Sequence, residues 1–86
     1  MAKLRILYFA WLRERVGHAE EERVLPQGIG TLGELIAWLR TQHSGYEAAF
    51  SEPRLVRAAV NQAFAGQDAA ISDGDEVAFF PPITGG

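Results

Sequence analysis

The chain has 86 residues, 48% of them apolar, with a formal net charge of −3 and no cysteine. This is one small domain near the size at which a single core holds without staples, and it is too apolar for a disordered chain. Disulfides, thiolate metal sites and cysteine nucleophiles are excluded; the acidic balance disfavours nucleic acid and favours a partner with a basic docking surface.

Met1-Ala2-Lys3-Leu4-Arg5 shows no secretory pattern and no stretch reaches membrane-spanning length. No membrane association is therefore expected, and the cytoplasm is the default location. Lys3 to Phe9 alternates and predicts a strand, with Leu4, Ile6 and Tyr8 on one face. Its other face begins charged and ends apolar at Leu7 and Phe9, which lie either under a loop or on a contact surface. Ala10 to Val16 predicts a short helix closed by Gly17. Glu20, Glu21 and Glu22 read as a solvated edge rather than a metal site, and Glu21 to Pro26 as a second strand.

Thr31-Leu32-Gly33-Glu34 is a capping box that opens the main helix. Leu32, Leu35, Ile36 and Leu39 form one apolar stripe that must face a sheet, and His43 and Gly45 suit a helix end near residues 42–45. His18 and His43 pair with no nucleophile and read as surface residues. Tyr46 to Phe50 suggests a further helical turn. Leu55 to Val60 predicts a strand, Asn61-Gln62 a tight turn, Ala63-Phe64 a short strand, and Asp73-Gly74-Asp75 the turn before a last strand, Glu76 to Phe80. The expected fold class is two-layer α+β, a mixed four- to five-stranded sheet covered by one main helix. Alternation puts Phe79 and Phe80 on opposite faces, so only one enters the core. Leu7, Phe9, Phe79 and Phe80 are the candidates for a partner interface.

After Phe80 the chain runs Pro81-Pro82-Ile83-Thr84-Gly85-Gly86. Two prolines end the strand and leave it stiff and extended, and beyond Thr84 there is no side chain. Residues 1–82 are read as the domain and 83–86 as a flexible tail. The tail is either a frayed end or a narrow thread bearing an unhindered carboxylate, which becomes electrophilic once adenylated.

The run from Asp73 to Gly86, together with Phe9-Ala10-Trp11-Leu12-Arg13-Glu14-Arg15-Val16-Gly17 and Val60-Asn61-Gln62, resembles the molybdopterin synthase small subunit, the MoaD-type sulfur carrier. The resemblance covers essentially the whole chain and implies a β-grasp, ubiquitin-like fold. It also implies that Gly86 is adenylated by an ATP-using, ubiquitin-activating-like adenylyltransferase. A sulfur donor protein would then convert it to a thiocarboxylate. Pro81, Pro82, Ile83, Thr84 and Gly85 would be inserted into the large catalytic subunit, which holds the pterin precursor, in a heterotetramer of two small and two large subunits. The chain would bind no cofactor or metal and supply no catalytic side chain. Sulfur carriage for thiamine or tRNA thiolation, conjugation to proteins through Gly86, and a plain interaction module with an inert tail remain alternatives.

Overall fold

Strand alternation in the first residues sets the two sides of the molecule. In the computed structural model, which describes residues 2–82, β1 (Lys3–Tyr8) buries Leu4, Ile6 and Tyr8 and turns Lys3, Arg5 and Leu7 outward. The last strand, β5 (Glu76–Phe80), buries Val77 and Phe79 and runs parallel beside it, with Ile6 opposite Val77 and Tyr8 opposite Phe79. Between them in sequence come α1 (Trp11–Val16), β2 (Glu20–Val24), α2 (Leu32–Leu39), α3 (Ser44–Phe50), a 3-10 turn at Pro53–Leu55, β3 (Arg57–Val60) and β4 (Ala63–Ala65). The strands form one sheet in the order β2-β1-β5-β3-β4, in which only the central β1–β5 pair is parallel. This is the β-grasp arrangement expected.

The covering layer differs from the expectation of one main helix: α1, α2 and α3 all contribute buried side chains. Leu32, Leu35 and Leu39 of α2 meet Tyr46, Ala49 and Phe50 of α3 and Leu12 and Val16 of α1 in a single core over one sheet face. The capping box forms as read, with Glu34 N–H donating to Thr31 Oγ1 and Glu34 Oε1 accepting from the amides of Thr31 and Gly30. The helix stops at Leu39, earlier than expected, because His43 belongs to the next one: its Nδ1 accepts from Gly45 N–H at 2.9 Å and caps α3. Arg40 closes the junction with two 2.7 Å bonds to Glu47. Gly45 is required by a close approach, since a Cβ there would overlap the Arg15 carbonyl oxygen of α1.

β3 begins later than expected because Pro53 starts a 3-10 turn, and β2 begins and ends earlier, leaving Leu25 buried just beyond it. The β3–β4 hairpin turns through Asn61 (φ 51°) and Gln62 (φ 71°), the left-handed pair that a two-residue turn demands. Asn61 also ties the hairpin to β5: its Oδ1 accepts from Glu76 N–H at 3.0 Å and its Nδ2 donates to Asp75 Oδ1 at 2.9 Å. Asp73 accepts from the Lys3 amide at the start of β1 and Asp75 from the Ser72 amide, so one carboxylate ties the turn to β1 and the other fastens the turn itself.

Candidate functional site

The helices cover one face of the sheet and leave the other open. A row on the open face crosses the strands through Leu7, Ala78, Ala59 and Phe64, which are register partners from β1 to β4. The next row pairs Phe80 with Arg57. Phe9 continues β1, its N–H donating to the Phe79 carbonyl at 3.0 Å. Phe9 is 49% and Phe64 81% exposed, and the Phe64 and Phe80 ring centroids lie 5.9 Å apart. These side chains form an apolar surface that the sheet cannot bury by itself, bounded by the ion pairs Arg5–Glu20 and Lys3–Glu22.

Of the four interface candidates, Leu7, Phe9 and Phe80 therefore share this face. Phe79 does not: it is fully buried, stacked on Tyr8 at 6.0 Å and edge-on to Phe50 at 4.8 Å. The parallel register with β1 decides this, because Tyr8 fixes which face of β5 looks toward the helices. Ala59 and Phe64 were missed by sequence reasoning; the signal was one large aromatic alternating with alanines in a very short strand.

The corner that leads from β1 into α1 sits beside this face. Ala10 there has φ 56° and ψ −135°, a conformation that costs an alanine energy and that sets Phe9 outward and Leu12 inward. Pro81 and Pro82 follow β5 at the same end of the sheet. With Trp11, Arg15 and Leu55 they line a cleft of about 400 Å³. Pro82 also lines a groove of about 540 Å³ with Arg57, Phe64, Gly66 and Phe80. Ile83, Thr84, Gly85 and Gly86, which carry the tail and the proposed reactive carboxylate, lie outside the described residues.

A second cluster lies at the opposite edge of the sheet, on the helix side. Glu20 and Glu22 are solvated as expected, but Glu21 pairs with Ile6 across β1–β2 and so points to the covered face. Its Oε2 accepts 2.6 Å bonds from the hydroxyls of Tyr8 and Tyr46 and lies 3.2 Å from His18 Nε2. Burial works to raise the Glu21 pKa, but the hydrogen bonds from Tyr46, Tyr8 and His18 outweigh it and hold the carboxyl below its usual range. Burial and the same carboxylate push Tyr46 up to about 12 and Tyr8 higher. Arg23 completes the cluster, its guanidinium 4.7 Å from the Trp38 ring centre and 5.7 Å from that of Tyr46. Glu21, Tyr8 and Tyr46 satisfy one another and join β1, β2 and α3, while Arg23 Nε is buried without a hydrogen-bond partner among the described residues; the chemistry of the cluster is that of a clamp. Among the described residues no three acidic or histidine side chains converge on a metal-sized site, and no helix is long and apolar enough to cross a membrane.

Comparison with known proteins matches this frame. A model of the ThiS family matches residues 6–86. The molybdopterin synthase sulfur carrier subunit of Escherichia coli (strain K12) is 39% identical over 83 residues, covering 96% of this chain and 99% of its own. Its counterpart in Mycobacterium tuberculosis is 35% identical over 86 residues, covering all of both chains. Among solved structures, small archaeal modifier protein 1 of Haloferax volcanii superposes with a TM-score of 0.79 at 26% identity, over 96% of this chain and 100% of that one. The complex of subunits 1 and 2 of the Helicobacter pylori molybdopterin-converting factor adds a likeness of fold, with a TM-score of 0.66 at 19% identity over 98% of this chain and 99% of that one.

Proposed function

Because the chain belongs to the ThiS family, we propose that it is the sulfur carrier subunit of a cytoplasmic molybdopterin synthase. The observation that carries this reading is positional. The central strand β5 is followed by Pro81-Pro82 beside an open apolar face, and only Ile83 and Thr84 separate Pro82 from Gly85-Gly86. The sulfur carriers that resemble the chain over nearly its full length support it.

In this reading the Gly86 carboxylate attacks ATP on an activating adenylyltransferase, giving an acyl adenylate and pyrophosphate. Sulfide-level sulfur delivered by a donor protein attacks the acyl carbon, AMP leaves, and a thiocarboxylate remains. The face bearing Leu7, Phe9, Phe64 and Phe80 docks on the large subunit, and Pro81 to Gly85 thread the terminal sulfur to the pterin precursor. The fold contributes position, turning a bimolecular encounter into a directed one, while the partner supplies acid, base and oxyanion stabilisation. Two carriers and two large subunits per assembly would suit a dithiolene, which needs two sulfur transfers.

A second reading, a modifier joined to lysines through Gly86, is favoured by the likeness to the archaeal modifier protein. Intact-mass and tandem mass spectrometry of the chain from its native cell separates the two. Replacement of one oxygen by one sulfur at Gly86 supports the carrier. Isopeptide bonds joining Gly86 to lysines of other proteins, without the sulfur form, would overturn it. Deleting Gly86 is expected to abolish sulfur transfer to the large subunit and leave the melting temperature unchanged; a truncated chain that still transfers sulfur refutes the mechanism.

A further inference from the structure

Seven of the eight Lys and Arg side chains are arginines, and Lys3 is the only lysine. This distribution bears on a carboxyl group that is to be activated, because a neutral amine within reach captures an acyl adenylate. Attack forms a C–N bond, the bond to AMP breaks, and the amine proton goes to solvent, leaving an inert amide. A guanidinium stays protonated and does not attack, whereas an exposed lysine, with a pKa near about 10.4, supplies some free amine close to neutral pH.

Arginines stand at the root of the tail. Pro82 lines one cleft with Arg15 and another with Arg57. Arg15 lies 5.0 Å from the Trp11 ring centre and donates to the Ala48 carbonyl at 3.1 Å, and Arg57 stands opposite Phe80 in the β3–β5 register. Neither forms an ion pair among the described residues. Lys3 is at the other end of the sheet, its Nζ 3.5 Å from Glu22. The path along β1 from Lys3 to Tyr8, and on from its parallel partner Phe79 to Pro82, covers about 25 Å at about 3.3 Å per residue. Whatever course they take, the four residues after Pro82 reach at most about 14 Å, and an extended lysine side chain adds about 6 Å.

We propose that Arg15 and Arg57 are specificity residues for transfer of the activated acyl group. They give the tail's root positive charge without a nucleophile, while Lys3 stands beyond its span, so the chain does not acylate itself. This rests on the reading that Gly86 is activated as an acyl group, which the carrier and modifier readings share. It adds that the acyl group survives until a sulfur or an amine of another molecule takes it.

The test uses full chains bearing Gly86 as a mercaptoethanesulfonate thioester, which is activated without ATP or an enzyme. Native, R15K, R57K, R15Q and R57Q chains are held at micromolar concentration in mildly alkaline buffer and followed by intact mass. The native chain and both glutamine variants should lose the thiol by hydrolysis alone, giving the free acid. R15K and R57K should lose it roughly tenfold faster, giving a product one water lighter than the free acid in which peptide mapping joins Gly86 to the introduced lysine. The glutamine variants remove the same arginine contacts without adding an amine, which separates capture from any effect on folding. Lysine variants that decay no faster than the native chain and give no lighter product would overturn the proposal. So would a Lys3–Gly86 bond in the native chain that forms at a rate independent of concentration. Adenylation is measured separately, by ATP–pyrophosphate exchange on the activating enzyme, so either conclusion can fail without the other.

Discussion

Phe79 and Phe80 are chemically identical neighbours on opposite faces of one strand, and truncating each to alanine should produce opposite phenotypes. Phe79 has no exposed surface and packs between Tyr8 and Phe50. Phe79→Ala leaves a cavity under three elements and is expected to cost about 3–5 kcal/mol. Against a domain stability of about 5–15 kcal/mol, that is a large fraction. With about 4–8 °C per kcal/mol at this chain length, the melting temperature should drop by at least about 12 °C. Phe80 is only partly buried, with its ring 5.9 Å from that of Phe64, so Phe80→Ala should cost less, about 1–2 kcal/mol. Urea melts at equal m-value measure both. Binding to the large subunit, measured by calorimetry, should weaken for Phe80→Ala and persist for Phe79→Ala at temperatures where it is folded. Equal midpoints for the two variants would refute the assignment of faces. Undiminished binding by Phe80→Ala would refute the docking surface.

Glu21→Gln should destabilise by about 2–3 kcal/mol at neutral pH, since two hydroxyls lose a charged acceptor. The folded Glu21 pKa is depressed, so its contribution is complete above the unfolded value of about 4.3 and is lost as pH falls through the folded value. The deficit of the variant in urea midpoint should therefore shrink below about pH 4, and a pH-independent deficit would count against the clamp. Gly45→Ala forces a methyl onto the Arg15 carbonyl and should cost about 1–3 kcal/mol by separating α3 from α1, detectable as faster amide exchange in both helices. Asn61→Ala loses both side-chain bonds to the start of β5 and a residue suited to φ 51°, and a loss of about 1–3 kcal/mol by thermal melting is expected.

Local signals in the sequence proved sound where the interaction is itself local. The Thr31–Glu34 box, the Gly17 helix end and the Asn61 turn each depend on neighbours within a few residues, and each was legible. The end of α2 was misjudged because His43 and Gly45 are ambiguous: a histidine and a glycine suit a helix C-terminus, yet the His43 ring can equally cap the following helix. Glu21 was read as solvated because its partners stand 13 and 25 residues away, and only the β1–β2 register brings them together. For the site, alternation separated Phe79 from Phe80 but could not orient the pair, since both are the same residue. The burial of Tyr8 on the neighbouring strand breaks that symmetry. Phe64 was passed over because a three-residue strand offers too few positions for a period to declare itself.

The place of β5 also governs how the molecule bears a load. A strand at the margin of a sheet can be peeled away one hydrogen bond at a time. β5 is instead held along its length by parallel β1 on one side and antiparallel β3 on the other. Tension applied along the strand through its C-terminal end acts on both ladders in shear, so many bonds share the force and must yield together. Under the proposed carrier role, a pull on the chain beyond Pro82 would therefore load the whole sheet rather than unzip the strand that bears it.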